Sequence, residues 1–103
     1  MNRLEIHQKE INRICEKHHV EKLFVFGSIL TEAFNEASDI DLVVQFGKVE
    51  LSEYFNNFMG FKEEMEALLD RKVDLIENKA VKNPIFRKIL DRDMQNIYER
   101  AAA

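Results

Sequence analysis

The sequence predicts an α/β (α+β) domain built as one small β-sheet with helices packed against it. Three observations point there. Segments of helical hydrophobic period alternate with short apolar runs rich in β-branched and aromatic residues, the pattern of a sheet covered by helices. At 103 residues the chain is sized for one core and not two. Its 46% hydrophobic and 33% charged residues, with only three Gly and one Pro, suit regular structure and exclude a disordered chain.

Each element has its own signal. Between Leu4 and His18, the residues Leu4, Ile11, Ile14 and Cys15 share one helical face, and Lys17-His18-His19 closes the helix with groups suited to the negative end of its dipole. Lys22-Leu23-Phe24-Val25-Phe26, stopped by Gly27, reads as a buried strand. Ser28 is then placed to cap a short helix running to about Phe34. The second strand is Asp39-Ile40-Asp41-Leu42-Val43-Val44-Gln45-Phe46, closed by Gly47. From Leu51 to Leu69, the residues Leu51, Tyr54, Phe55, Phe58, Met65, Leu68 and Leu69 form the apolar stripe of a long helix, which Gly60 is expected to loosen or kink. Lys72-Val73-Asp74-Leu75-Ile76 is a third strand. Asn83-Pro84 has the N-cap and first-position residues of a helix that turns Ile85, Phe86, Ile89 and Leu90 inward. Met94 to Glu99 either finishes that helix or forms a short edge strand at Ile97-Tyr98.

The connection from Ser28 to Ser38 is near the minimum for a parallel crossover, so pattern alone leaves strand directions open. The expected domain is residues 1–100, with Ala101-Ala102-Ala103 read as a cloning tail of no functional weight.

Composition bounds the function. No apolar run approaches the roughly 20 residues of a membrane-spanning helix, and Met1-Asn2-Arg3-Leu4-Glu5 lacks the apolar core of a signal peptide, so a cytoplasmic protein without a membrane partner is expected. A net charge of −4 gives no general footprint for gripping a phosphate backbone, which argues against direct nucleic-acid binding. Metal ions can still stand between an acidic protein and a polyanion. The lone Cys15 cannot form an internal disulfide and reads as a buried structural thiol. His18 and His19 read as a helix end rather than metal ligands, His7 as solvent-facing, and Glu63, Glu64, Glu66, Asp70 and Arg71 as a solvated helix face. The Phe residues are assigned to packing, although Tyr54, Phe55 and Phe58 with Phe61 are generous for so small a core and hint at an interface.

The chemistry lies in three aspartates. Asp39 and Asp41 stand two apart in a strand, so both side chains fall on one face. Two like charges about 4 Å apart repel by roughly 4 kcal/mol at an effective dielectric near 20, a cost that asks for a reason. Asp74 sits among Val73, Leu75 and Ile76, which predicts burial, and a buried carboxylate must be paired, protonated or metal-bound. If the second and third strands are neighbours, the three carboxylates converge as hard oxygen ligands for one or two divalent cations, the arrangement that serves phosphoryl or nucleotidyl transfer. Gly27-Ser28, a glycine turn after a strand, adds a place for the backbone to approach phosphate closely.

Gly27-Ser28, ten intervening residues, then Asp39-Ile40-Asp41 reproduces the G-S-x10-D-x-D pattern of the polymerase β-like nucleotidyltransferases, and Lys72 to Ile76 looks like their third-aspartate strand. The resemblance runs from the leading helix to Tyr98-Glu99-Arg100 and is greatest to the minimal nucleotidyltransferases, antitoxin-like proteins paired with HEPN-domain toxins. It implies a mixed sheet of the polymerase β-like fold. It also implies Gly27 and Ser28 on a nucleoside triphosphate, Mg2+ (two ions) on Asp39, Asp41 and Asp74, ATP as substrate, and AMP transfer to a partner, a toxin tyrosine. One position departs from the pattern: many members carry an arginine soon after the Gly-Ser pair, where this chain reads Ile29-Leu30-Thr31-Glu32. Lys22, Lys48, Lys72 and Lys79 are the candidates to replace it. Two other readings stand beside the enzyme. One is an antitoxin that works by binding alone. The other is a metal nuclease using the E-x-K arrangement Glu77-Asn78-Lys79.

Overall fold

The computed structural model describes residues 2–31, 35 and 37–101. Four strands, β1 (Val20–Phe26), β2 (Ile40–Phe46), β3 (Val73–Glu77) and β4 (Gln95–Glu99), form one sheet in the order β3-β2-β1-β4. β1 runs antiparallel to β2 and β4, whereas β2 and β3 are parallel, so the sheet is mixed. Connection length explains the directions. The short link between β1 and β2 joins an antiparallel pair, and the parallel pair is joined through the long helix α3 (Leu51–Leu69), as a crossover requires.

Before β1 the chain forms α1 (Asn2–Glu5) and α2 (Gln8–Lys17). The single helix expected from Leu4 to His18 is therefore interrupted at Ile6-His7, where His7 leaves helical geometry at φ −107° and ψ 13°. The break leaves Ile6 exposed while Leu4 and Ile11 both enter the core. After α3 and β3, α4 (Pro84–Asp93) starts at Asn83, whose side chain accepts the N–H groups of Ile85 and Phe86, as an N-cap should. The ambiguous last segment is the edge strand β4, because α4 ends where the Met94 N–H bonds Leu90 O.

The two faces of the sheet differ. Leu23 and Val25 of β1, Ile40, Leu42, Val44 and Phe46 of β2, and Val73 and Leu75 of β3 pack with α2 and α3 into one apolar cluster. Alternation sends Phe26, Asp41 and Asp74 to the opposite face as one lateral row. α4 covers part of that face, with Phe86 edge-on to Phe26 at 6.1 Å. Leu90 is fully buried, but Ile85, expected inward, is 71% exposed. Successive helical residues are about 100° apart, and the face that carries Phe86 and Leu90 leaves this first-turn residue outside.

Two further expectations are corrected by the packing of α2 on α3. α3 continues unbroken through Gly60, and a Cβ there would lie 3.1 Å from His18 Cε1, so the glycine makes room for a side chain rather than a kink. His18 is buried, edge-on to Phe61 at 5.9 Å and within 2.5 Å of Glu64, which also meets Lys17 at 3.0 Å. The supposed solvated face is thus partly a clasp. On the same helix Tyr54, Phe58 and Phe61 pack edge-on around Phe46, and only Phe55 and Leu51 of the aromatic-rich stretch are left largely exposed. Burial pushes the Cys15 thiol up to about 12, with the Glu16 charge adding to it, which makes it an inert packing group.

Candidate active site

Asp41 is the centre of the polar row. Parallel register places it directly beside Asp74, and its antiparallel neighbour on the other side is Phe26, the last residue before the Gly27 turn. The Asp74 carboxyl is close enough to share a proton with that of Asp41. Burial, then the charges of Asp74 and Asp39, and last that hydrogen bond push the Asp41 carboxyl up from its ordinary value. None of the three aspartates forms an ion pair among the described residues. Asp39 stands just before β2, exposed, near enough to act on Asp41 through its charge. Among the described residues no three acidic, His or Cys side chains are drawn together into a ready metal cage. The structure therefore brings two of the three aspartates into contact and leaves the third at the rim.

Gly27 is required on two counts. Its φ of +84° is one that residues with a Cβ rarely adopt, and a Cβ at this position would overlap Asp41 Oδ2. The glycine turn and the central carboxylate are in direct contact. The turn continues as a four-residue 3-10 helix, Gly27–Leu30. Ser28 lies inside it rather than at its cap, which is Phe26, and Thr31 ends it in extended conformation while its N–H and Oγ1 both bond Ser28 O at 2.9 Å. The expected α-helical cap at Ser28 is thus replaced by this tighter turn, and the expected continuation to Phe34 falls on residues 32–34, outside those described. The half-buried Ser28 hydroxyl has no hydrogen bond among the described residues.

The four lysines proposed in place of the arginine separate by position. Lys22 and Lys79 act on Glu21, and Lys48 lines a cavity of about 460 Å³ with Lys17 and His19, all towards the end of the β1–β2 pair remote from Asp41. Lys72 alone lies at the aspartate end, its carbonyl accepting the Ile40 N–H at 3.0 Å. The E-x-K triplet does not join the site. Glu77 lies on the opposite face of β3 from Asp74, its charge acting on Tyr54, and Asn78 is held by Gln45 and Arg87. Sequence reasoning missed Phe86 as a wall beside the row and Arg71 beside the loop that leads to Asp39. For Arg71 the signal was its place three residues ahead of Asp74, between a helix end and a strand.

Residues 9–102 match the polymerase beta, nucleotidyltransferase family. The chain is 32% identical to a protein of Methanocaldococcus jannaschii named as a protein adenylyltransferase, over 87% of this chain and 89% of that one. It is 32% identical to the protein adenylyltransferase MntA of Thermococcus cleftensis, over 84% and 82%. A solved structure described as a minimal nucleotidyltransferase superposes with a TM-score of 0.74 at 25% identity, over 89% of this chain and 90% of that one. A chain from a crystal structure of a toxin-antitoxin with AMP-PNP gives 0.67 at 14% identity, over 90% and 73%, a likeness of fold. A chain from the tri-AMPylated Shewanella oneidensis HEPN toxin in complex with its MNT antitoxin gives 0.63 at 13%, over 93% and 72%, again a likeness of fold. With its mixed sheet, its glycine turn against a paired carboxylate, and relatives matched over most of their length, the chain belongs to the polymerase β nucleotidyltransferase family and is a nucleotidyltransferase.

Proposed function

We propose that this nucleotidyltransferase uses ATP and magnesium to place AMP on a partner protein, acting as the antitoxin of a HEPN/MNT pair in the cytoplasm. The observation that carries the reading is the contact of Asp41 with Asp74 beside the Gly27 turn, a concentration of negative charge with no cation partner among the described residues. The donor set is chemically right for a hard cation. The names of the relatives add protein adenylylation, and the solved complexes add AMP-PNP and a tri-AMPylated HEPN toxin as what such proteins meet.

Asp39, Asp41 and Asp74 would hold the metal. Two magnesium ions bound there would supply neutralisation of the triphosphate and activation of the acceptor hydroxyl. The protein's own part is largely placement. Gly27 lets the backbone come close to phosphate while leaving space for Asp41, and the Ser28 hydroxyl is available to donate to a phosphate oxygen. In the transfer the acceptor oxygen forms a bond to the α-phosphorus, the bond to the bridging oxygen breaks, and pyrophosphate leaves with the electron pair. Asp74, expected buried but exposed because β3 is an edge strand, would take the hydroxyl proton. Asp39 and Asp74 both face solvent, which leaves the site open to an acceptor carried by a second macromolecule, a toxin tyrosine in this reading.

Incubation with α-labelled ATP, magnesium and the HEPN-type partner should label the partner, and Asp39→Asn with Asp41→Asn should abolish the label. A binding-only antitoxin is the second reading, favoured by the missing arginine after Ser28. Neutralisation without label that survives both substitutions would establish it.

A further inference from the structure

We infer that Arg71 is a positioning residue for this site, the group that fixes Asp39 relative to Asp74. The inference rests on the reading of the three aspartates as cation ligands. Asp39 lies outside the sheet and depends on what brackets it. On its N-terminal side, Arg71 Nη1 donates to Ser38 O at 2.9 Å and to Asn35 O at 2.8 Å. On its C-terminal side, Lys72 O accepts the Ile40 N–H at 3.0 Å. Two consecutive residues of one turn therefore hold the peptides on either side of Asp39.

The loop so held is folded on itself. Ser38 N–H donates to Asn35 O at 3.0 Å, Asn35 N–H to Ser38 Oγ at 3.1 Å, and Ala37 N–H to Asn35 Oδ1 at 2.8 Å. The other jaw is equally fixed. Arg71 follows Asp70, which ends α3 in the left-handed region at φ 51°, and the Glu66 carboxylate accepts the Val73 N–H at 2.9 Å. Asp74 is the next residue. The separation of the rim aspartate from the other two is thus set by residues 71–74, with a guanidinium whose rigid fork can serve two carbonyls at once. Asp39 is not otherwise drawn into the cluster, so freeing this loop should loosen its share of any bound cation while the sheet stays intact.

The test uses Mn2+ as the probe on the whole chain, with free ion read by electron paramagnetic resonance and amide exchange followed at Ile40. Arg71→Met keeps the stem and removes the donors. It is expected to melt within a few degrees of the wild type, bind Mn2+ at least fivefold more weakly and exchange faster at Ile40, with Arg71→Lys recovering part of both losses. Binding within twofold of wild type in folded Arg71→Met, while Asp41→Asn abolishes it, would overturn the role of Arg71 and leave the cation site standing. Unchanged binding in Asp41→Asn would remove the cation site and this inference with it. An Arg71→Met chain that does not fold would make Arg71 a residue of general stability, which also overturns the proposal.

Discussion

Glu64 and Asp41 are both partly buried carboxylates, yet one region satisfies its acid and the other leaves it in conflict. Glu64 accepts hydrogen bonds from His18 and Lys17, which hold its carboxyl below the ordinary value. Asp41 lies against Asp74 with the charge of Asp39 nearby, and burial among those like charges holds its carboxyl above it. The first arrangement stabilises the packing of α2 on α3. The second is an unfavourable term that the rest of the fold offsets, and it is the kind of term a bound cation can reverse. On the proposed function, the difference separates the part of the molecule arranged for folding from the part arranged for a ligand.

Substituting Gly27 should give the largest effect, because it attacks the site and its support together. Gly27→Ala forces a side chain into positive φ and against the Asp41 carboxylate. A loss of about 2 kcal/mol is expected from the backbone conformation and the collision, read by urea denaturation, with transfer activity lower by tenfold or more.

Asp41→Asn relieves the conflict directly. It should raise the stability of the metal-free protein at neutral pH by about 1 kcal/mol, or roughly 4–8 °C in a domain of this size, while abolishing transfer. The sign follows from the raised carboxyl. Its folded form favours protonation, so the unfavourable charge is present above that raised value and disappears as pH falls through it. The stability gap between variant and wild type should therefore narrow in acid. Magnesium with ATP at about 100 times its Kd should stabilise the wild type by roughly 2.7 kcal/mol and the variant much less.

Glu64→Gln probes the satisfied acid and should have the smallest effect, a loss of about 1 kcal/mol at neutral pH from the weakened hydrogen bonds. Here the carboxyl is depressed, so its contribution is present above the ordinary carboxylate value and lost as pH falls through the depressed one. The wild type and Glu64→Gln should converge in acid, but from the opposite side to Asp41→Asn. Equal pH trends in the two variants would erase the contrast.

The sequence was most informative where one rule acts locally. Alternation marked β1, β2 and β3, helical period marked α3, and Asn83-Pro84 marked the start of α4. Asp39, Asp41, Asp74 and Gly27 stood out as candidates because charge beside apolar strand residues and glycine after a strand are both conspicuous. What stayed hidden depends on contacts distant in sequence. His18 looked like a helix end because its partners Gly60, Phe61 and Glu64 lie more than forty residues away. Only the glycine in the middle of α3 hinted at an intruding side chain. Arg71 looked solvated because the acceptors it finds at Asn35 and Ser38 are backbone carbonyls of a loop, which leave no trace in composition. Ser28 misled because a cap and the second residue of a 3-10 turn have the same local chemistry.

The register of β2 with β3 pairs Ile40 with Val73, Asp41 with Asp74 and Leu42 with Leu75. A slip of one residue would turn Asp74 into the apolar layer beneath the helices and bring Val73 and Leu75 out to solvent. Misalignment of the chemistry and collapse of the interior are thus the same event. A one-residue slip therefore cannot yield a well-packed sheet with its acids out of step: the apolar layer that holds the sheet also guards the pairing of Asp41 with Asp74 against it.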